Sequence, residues 1–330
     1  MANITVLGSG GWGTALAVMA DRHGHTVTLW SPFEEEIASI RRHGQHKKLL
    51  PDIPVAPSIA LTCDISAVAD ADLVIMAVPS FAIAATAAQL RPYLKEGAVV
   101  ANAGKGLEED TYRRFTEVIE AALPGVSAVA LSGPSHAEEV GRGIPTVVVS
   151  ASRDRAAAKT VQNLLMNETF RIYTDDDVIG VELGGALKNV IALAGGICDG
   201  LGMGDNTKAA LMTRGLAEIA RLGVAMGAEA ATFAGLAGMG DLIVTCGSMH
   251  SRNRRAGILI GEGVPPSEAV KRVGTVEGYL VAGTAYQLAQ KLGVEMPIAE
   301  TCYRICYENY PPKHAVTTLM TRPGGNEKDQ

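Results

Sequence analysis

A glycine-rich turn near the start of the chain constrains the fold more than any other feature. The β-branched run at residues 4–7 leads directly into the segment 8–13 (GSGGWG), and an alanine-rich stretch of helical character follows. In a strand–turn–helix unit Gly8 permits the tight turn, Gly10 lets a pyrophosphate approach the backbone, and Gly13 lets the helix pack on the strand. The first N–H groups of that helix are available to phosphate. The segment therefore predicts a dinucleotide site.

Short β-rich runs alternate with helical stretches as far as residue 177, the pattern that a parallel sheet flanked by helices requires. The predicted strands are residues 4–7, 26–30, 73–78, 98–102, 128–132, 146–150 and 170–173. Beyond residue 177, Ala, Leu, Gly and Met dominate, and helical periodicity continues to about Tyr310. The predicted fold class is α/β, with a Rossmann-like, mostly parallel sheet domain that binds a dinucleotide over 1–177. An all-helical substrate domain is predicted over 178–330.

Length, charge and cysteine usage exclude several classes of protein. The 330 residues, 47% of them hydrophobic, suffice for two domains of ordinary size. A formal net charge of −6 argues against nonspecific nucleic-acid binding, which rewards a positive surface. No basic segment precedes the first apolar run and glycines soon interrupt it, so neither a signal peptide nor membrane insertion is expected. Five cysteines without a Cys-x-x-Cys pair fit reduced thiols in the cytoplasm and predict no metal site.

The choice between NAD and NADP depends on the end of the second strand. An acidic residue there binds the adenosine ribose and disfavours NADP, whereas a basic residue accepts the additional phosphate. This chain has residues 31–33 (SPF) at that point. Glu34 is expected to begin the next helix, and Arg41 and Arg42 could either reach back or face solvent. These residues leave the cofactor choice open.

Loops at the carboxyl ends of the later strands are the expected place for substrate, because doubly wound sheets bind ligands at that edge. Three such loops contain residues 79–80, 104–106 (GKG) and 133–136 (GPSH). Lys105 stands between two glycines that leave it uncrowded, which suits a cation that touches substrate. A solvated loop lysine is the alternative for this residue taken alone.

Lys188 lies on a face of a predicted helix where almost nothing else has bulk. The residues that share this face are Val181, Gly184, Gly185, Ala192 and Gly195. Small neighbours let another element or a ligand come close and exclude water from the amine. Loss of water favours the neutral amine, which can then give and take a proton near neutral pH. The alternative is a lysine that extends from a packed helix to solvent.

Two further segments carry charges that suggest a site. Asp241 precedes the apolar run 242–244, where a carboxylate is costly unless paired, so an ion pair with Lys188 is expected. Residues 251–255 (SRNRR) gather three arginines in an acidic protein, with Ser251 as the predicted N-cap of a helix. Guanidinium groups, a hydroxyl, an amide and helix N–H groups together form a site for a phosphate-sized anion. Most charge runs are solvated faces, and at least one of the last two arginines is expected to be so.

At these segments the sequence resembles the bacterial-type NAD(P)-dependent glycerol-3-phosphate dehydrogenases, over nearly the whole chain. The segments that carry the resemblance are 131–135 (LSGPS), 182–190 (ELGGALKNV), 204–211 (GDNTKAAL), 240–246 (GDLIVTC) and 251–255 (SRNRR). It implies reduction of dihydroxyacetone phosphate to sn-glycerol 3-phosphate by hydride transfer from NADH or NADPH. It also implies a cytoplasmic homodimer that supplies glycerol phosphate for phospholipid synthesis.

The resemblance also assigns roles to individual residues, with Lys188 as the catalytic proton donor or acceptor. The residues expected to line the substrate are Lys105, Gly133, Ser135, Lys188, Asp241, Ser251, Arg252 and Asn253. The residues expected to contact the cofactor, besides Gly8, Gly10 and Gly13, are Gly11, Trp12, Pro32, Lys105, Ala137, Arg252, Thr275 and Glu277. The family often has a basic residue in place of Pro32 and Val in place of Thr275. These departures weaken any expectation of a strong NADPH preference.

Two other classes of protein fit part of the pattern. A dehydrogenase of a 3-hydroxyacyl-CoA or a sugar acid shares the nucleotide domain but requires other catalytic groups, commonly a His-Glu pair for the acyl-CoA enzymes. A cofactor-sensing protein binds NAD(P) without chemistry. The lysine and the arginine cluster argue against the sensor.

Overall fold

The computed structural model describes residues 1–327; positions 328–330 of the second predicted domain lie outside the described residues. Contacts divide the chain into two compact units. The first unit consists of Met1–Glu108 and Arg113–Val178, and the second of Glu109–Tyr112 and the residues from Ile179 onward. Within the second unit, Tyr112 of the short segment donates a hydrogen bond to Gln287 over 2.8 Å. Each unit has its own core.

An eight-stranded sheet forms the centre of the first unit. The strands of this unit are β1 (Asn3–Leu7), β2 (Thr26–Trp30), β3 (Gln45–His46), β4 (Leu50–Pro54), β5 (Ala60–Thr62), β6 (Leu73–Met76), β7 (Val99–Asn102), β8 (Ser127–Ser132), β9 (Thr146–Ala151) and β10 (Phe170–Asp175). The order in the sheet is β10-β9-β8-β7-β6-β1-β2-β5, and β3 pairs with β4 separately. Neighbours in the large sheet are parallel except β8 and β9, which are antiparallel. The predicted Rossmann-like, mostly parallel sheet is confirmed.

Helices accompany the sheet strands along the chain, and the central strands are buried. The helices of this unit are α1 (Gly11–Arg22), α2 (Glu34–His43), α3 (Ile83–Leu90), α4 (Phe115–Ala122), α5 (Ala137–Arg142) and α6 (Arg155–Leu165). All four side chains of β6 are buried, which explains its uninterrupted apolar sequence LVIM. All seven strands predicted from the sequence are present. The short strands β3, β4 and β5 were missed; β4 has a proline at its second and last positions, which opposes strand prediction.

The second unit is helical. Its helices are α7 (Val178–Gly200), α8 (Asp205–Ala225), α9 (Ala230–Phe233), α10 (Asp241–Gly247), α11 (Arg252–Gly261), α12 (Pro266–Val273), α13 (Glu277–Leu292), α14 (Pro297–Tyr307) and α15 (Pro312–Met320). A π-helical turn, Leu236–Gly240, precedes α10. The last helix lies beyond Tyr310, where we predicted that helical sequence ends. It begins at a proline, which is favourable at the first helical position because no N–H is required there.

Two helical segments within residues 1–327 are long and apolar enough to cross a membrane by length and composition alone. In Val178–Gly200, 94% of the apolar window is buried within the protein, and in Ala230–Gly247 the share is 39%. A core helix of a soluble protein has the first property, since it is apolar all round and covered by its neighbours. Two such segments are weak evidence for membrane insertion.

Close helix contacts surround α7. A Cβ on Gly196 would lie 2.1 Å from the carbonyl oxygen of Arg254, and one on Gly257 would lie 2.2 Å from that of Leu193. Glycines on both helices therefore let the backbones of α7 and α11 approach each other. Nearer the start of α7, a Cβ on Gly184 would lie 2.7 Å from the carbonyl oxygen of Ala237. The small residues of α7 thus admit other elements of the same unit.

Glu218 is a buried carboxyl group on α8 that joins α8 to the start of α14. Its two carboxyl oxygens accept hydrogen bonds from the backbone N–H groups of Ile298, over 2.8 Å, and Ala299, over 3.1 Å. These N–H groups have no partner within their own helix because they belong to its first turn. Burial nevertheless dominates and raises the pKa of Glu218 to about 7 from its ordinary value of 4.5.

Replacing Glu218 with glutamine should reduce the dependence of stability on pH. Because the pKa is higher in the folded than in the unfolded chain, this group's contribution is fully present below pH 4.5 and disappears as the pH rises through about 7. The expected loss is about 3 kcal/mol of unfolding free energy. Urea denaturation at pH 5 and pH 8 measures it, with exposed Glu300→Gln as the control. An equal pH effect in wild type and Glu218→Gln would contradict this assignment.

Candidate active site

The glycine turn between β1 and α1 has the geometry predicted for its three key positions. Gly8 has φ of 106°, and a Cβ there would lie 2.7 Å from the carbonyl oxygen of Ala77. A Cβ on Gly13 would lie 1.9 Å from the carbonyl oxygen of Gly8. A Cβ on Gly10, by contrast, would have no atom within 4 Å. No side chain caps the start of α1, where Gly11 is the first residue. Open space beside an uncapped helix N-terminus fits the pyrophosphate of a dinucleotide.

The end of β2 holds a carboxylate that sequence reasoning missed. Glu34 begins α2, as predicted, and Pro32 and Phe33 are exposed. Glu36, in the first turn of the same helix, accepts a hydrogen bond from the Ser31 hydroxyl over 2.8 Å. A serine that ends a strand, followed by three consecutive glutamates that begin a helix, was the available signal.

Residues predicted to contact ligands meet at the carboxyl ends of β7 and β8, which are parallel neighbours. Lys105 donates from Nζ to the carbonyl oxygen of Gly133 over 2.9 Å, and the Ser135 hydroxyl donates to the same oxygen over 2.9 Å. Trp12, in the first turn of α1, donates from Nε1 to the carbonyl oxygen of Ala103 over 3.2 Å. Ala137 is the first residue of α5. The structure therefore brings Lys105, Gly133 and Ser135 together, next to the start of α5.

Lys188 and Asp241 form a buried ion pair in the second unit. Lys188 is 5% exposed and Asp241 is 1% exposed. Nζ of Lys188 donates to Oδ1 of Asp241, and to the hydroxyl of Thr245 over 2.7 Å. That hydroxyl in turn donates to the backbone carbonyl oxygen of Asp241 over 2.6 Å. The carboxylate compensates for the loss of water around the amine and favours its charged form.

Thr245 was missed in the sequence although its position carried a signal. It follows Asp241 by four residues, so both lie on one face of α10. A hydroxyl there can accept from the ammonium and donate to the backbone at once. Contacts with Asp241 and Thr245 thus hold Nζ of Lys188 in place, and Thr245 is added to the ion pair predicted from the sequence.

The arginine-rich segment begins α11, and its side chains differ in exposure and in hydrogen bonding. Ser251 caps the helix, as predicted, and its hydroxyl accepts from the N–H of Arg254 over 3.2 Å. Arg252 is exposed at the first helical position, and Arg255 is also exposed. Arg254 instead donates to Asp199 over 2.7 Å and to a backbone carbonyl. Arg254 therefore has a packing role, whereas the Arg252 side chain is exposed at the start of the helix.

Asn253 connects the start of α11 to two other elements. Its amide nitrogen donates to the side-chain oxygen of Asn189 over 2.9 Å, and its amide oxygen accepts from the N–H of Gly278 over 2.8 Å. Asn189 is the neighbour of Lys188, and Gly278 follows Glu277, the first residue of α13. Thr275 lies two residues before Glu277. One buried amide therefore fixes the start of α11 relative to the candidate proton donor and to the second unit's predicted cofactor residues.

The predicted residues fall into two sets, one in each unit. Those in the first unit are Gly8, Gly10, Gly11, Trp12, Gly13, Pro32, Lys105, Gly133, Ser135 and Ala137. Those in the second unit are Lys188, Asp241, Ser251, Arg252, Asn253, Thr275 and Glu277. The first set combines a glycine turn at a helix N-terminus, a geometry that suits phosphate, with a lysine. The second combines a buried ammonium with an exposed guanidinium at a helix N-terminus, which suits proton transfer and anion binding.

Comparison with known proteins agrees with this combination. Residues 3–158 match the family model of the NAD-dependent glycerol-3-phosphate dehydrogenase N-terminus, and residues 177–317 match that of the C-terminus. A protein of Moorella thermoacetica named glycerol-3-phosphate dehydrogenase [NAD(P)+] is 52% identical over 98% of this chain and 97% of its own length. One of Fusobacterium nucleatum with the same name is 50% identical over 98% of this chain and 97% of its own length.

A solved structure extends the agreement to the fold. The crystal structure of glycerol-3-phosphate dehydrogenase from Coxiella burnetii superposes with a TM-score of 0.93 at 38% identity, over 97% of this chain and 99% of that one. Sequence models, close relatives and the superposition cover both units. The chain belongs to the NAD(P)-dependent glycerol-3-phosphate dehydrogenase family.

Proposed function

We propose that this chain reduces dihydroxyacetone phosphate to sn-glycerol 3-phosphate with NADH or NADPH, and catalyses the reverse reaction. The observation that carries the proposal is the buried Lys188 ammonium, held by Asp241 and Thr245, in a chain of this family. A buried ammonium held by two partners has little freedom to move. Such preorganisation stabilises the negative charge that develops on the substrate oxygen in the transition state.

When bound, the nicotinamide of NADH or NADPH would supply the hydride, and that of the oxidised cofactor would accept it. The chain's part is to bind the dinucleotide and to handle the proton. The open space at Gly10 and the N–H groups at the start of α1 bind the pyrophosphate, with Gly8, Gly11 and Gly13 shaping the turn. Trp12 is fixed by its hydrogen bond to Ala103. The other proposed cofactor contacts are Pro32, Lys105, Ala137, Arg252, Thr275 and Glu277.

The Lys188 ammonium donates its proton to the alkoxide oxygen that develops on the substrate, and the neutral amine accepts it in the oxidative direction. Asp241 stabilises the charged amine and leaves the neutral amine less favoured, which keeps the acid form ready for reduction. We also propose that Lys105, Gly133 and Ser135 contact the substrate. Lys188 is thus the proposed carrier of the one proton that the reaction transfers.

The substrate's phosphate binds at the start of α11. The N–H groups of that helix and the Arg252 guanidinium supply positive charge in a protein whose net charge is −6. Ser251 and Asn253 hold the helix start in place and, like Asp241, are proposed to contact the substrate. Binding energy from the phosphate orients the ketone and so contributes to turnover as well as to affinity.

A spectrophotometric assay of NADH and NADPH oxidation tests the function. With dihydroxyacetone phosphate we expect oxidation of at least one cofactor, and with dihydroxyacetone, which lacks the phosphate, a kcat/KM lower by about 100-fold or more. The product should be sn-glycerol 3-phosphate. Absence of oxidation with both cofactors would exclude the proposal and favour the alternative of a protein that senses the cofactor without chemistry. Equal rates with the two ketones would exclude phosphate recognition.

The proposal also covers the location, assembly and metabolic role of the protein. Resemblance to bacterial glycerol-3-phosphate dehydrogenases supports a cytoplasmic homodimer that provides glycerol phosphate for phospholipid synthesis. Burial of the apolar helix α7 supports a protein that is not inserted in a membrane. A dehydrogenase of 3-hydroxyacyl-CoA is less well supported, because the buried pair is Lys-Asp and not His-Glu.

A further inference from the structure

A carboxylate with three side-chain partners lies beside the glycine turn. Oε2 of Glu36 accepts hydrogen bonds from the hydroxyls of Ser9 and Ser31, the latter over 2.8 Å. Oε1 of Glu36 lies 3.1 Å from Nε2 of His46. These contacts fix a half-buried side chain that would otherwise be free to rotate. Glu34, two residues earlier, begins the same helix and is exposed.

The partners of Glu36 place its carboxylate at a defined edge of the sheet. Ser9 belongs to the glycine turn that follows β1, and Ser31 directly follows β2. Since β1 and β2 are parallel neighbours, their carboxyl ends meet at one edge. In dinucleotide-binding sheets the adenosine ribose lies there, where an acidic residue binds its 2′-hydroxyl and a basic residue accepts a 2′-phosphate.

Glu36 is anionic throughout the neutral pH range. The hydrogen bond from His46, with those from Ser9 and Ser31, outweighs burial and lowers the pKa of Glu36 to about 2. Of the two arginines near the end of α2, Arg41 donates to the carbonyl oxygen of Leu61 on β5 over 2.9 Å, and Arg42 is exposed. Pro32, after Ser31, contributes no charge. The surroundings of Glu36 therefore favour a ribose hydroxyl over a phosphate.

We propose that Glu36 is the residue that makes this chain select NADH over NADPH, by placing a fixed negative charge where the 2′-phosphate of NADPH would lie. The inference rests on the proposed function, because it concerns the cofactor of the same reaction. The carboxylate comes from the first turn of α2 instead of from the strand end itself. A hydroxyl of the ribose donates to it, and a phosphate is repelled by it.

Dissociation constants of NADH and NADPH, measured by energy transfer from tryptophan to the nicotinamide, test the inference without catalysis. We expect the wild type to bind NADH more tightly. Glu36→Gln removes the charge but keeps an acceptor oxygen for both serines. The dissociation constant of NADPH divided by that of NADH should therefore fall by about ten-fold or more in this variant. Glu35→Gln, which changes the same charge at an exposed neighbouring position, should leave the ratio unchanged.

The outcomes separate this inference from the proposed function. A wild type that binds NADPH as tightly as NADH, or a ratio that Glu36→Gln does not change, overturns the role of Glu36 while the reaction itself stands. Equal weakening of both cofactors would show that Glu36 only holds the glycine turn, and it also overturns the inference. A wild type that binds neither cofactor removes both proposals.

Discussion

Replacing Lys188 with alanine should lower kcat by about 10²- to 10⁴-fold, the range that positioned proton transfer contributes. The variant removes the proton carrier but none of the residues proposed to bind the dinucleotide in the first unit. The dissociation constant of NADH should therefore stay within about three-fold of wild type, since Lys188 is not among the residues proposed to contact the dinucleotide and acts on the transition state. Stopped-flow and steady-state assays with dihydroxyacetone phosphate measure the first effect, and fluorescence titration the second.

Loss of Lys188 also leaves the buried Asp241 carboxylate without its partner, at a cost of about 3–5 kcal/mol in unfolding free energy. Lys188→Met combined with Asp241→Asn keeps most of the volume and removes both charges, so this double variant should fold and remain inactive. Lys271→Ala, at an exposed position of α12, is the control and should retain wild-type kcat. Near-normal kcat in a folded double variant would exclude Lys188 as the proton carrier.

The sequence predicted the elements whose patterns repeat over many residues. Strands such as β6 are buried and consist of apolar residues only, and α7 shows apolar residues at helical intervals, so both were evident. The small strands β3 and β5 were not, because two or three residues carry no period. The antiparallel direction of β9 was also beyond the sequence, since direction depends on the connection and not on the strand's own residues.

For the candidate site, chemistry was easier to predict than partners. The pairing of Lys188 with Asp241 could be predicted because a buried carboxylate requires a cation. The contacts of the Asn253 amide with Asn189 and Gly278 could not be predicted, because they join helices distant in sequence. The place of Glu36 likewise depends on how α2 leaves the sheet. Residue type indicates what a side chain can do, whereas packing decides which partner it finds.

Gly13→Ala should raise the dissociation constant of NADH by about ten-fold or more, because overpacking costs about 1–3 kcal/mol and here displaces the phosphate-binding helix itself. The added Cβ would lie 1.9 Å from the carbonyl oxygen of Gly8, a backbone atom that cannot turn aside. Helix α1 must move away from β1, and its first N–H groups move with it. Thermal denaturation should show a loss of stability in the same variant.

Gly10→Ala separates the effect on the cofactor from the effect on folding. Gly10 has φ of −58° and no atom within 4 Å of the added Cβ, so alanine fits the protein without strain. Its stability should equal or exceed that of wild type by up to about 1 kcal/mol, because alanine restricts the unfolded chain. Its affinity for NADH should still fall by about ten-fold or more, because the methyl group occupies the space assigned to the pyrophosphate. Wild-type affinity in Gly10→Ala would mean that the dinucleotide does not approach the turn at this residue, and the phosphate-binding role of the glycine turn would have to be withdrawn.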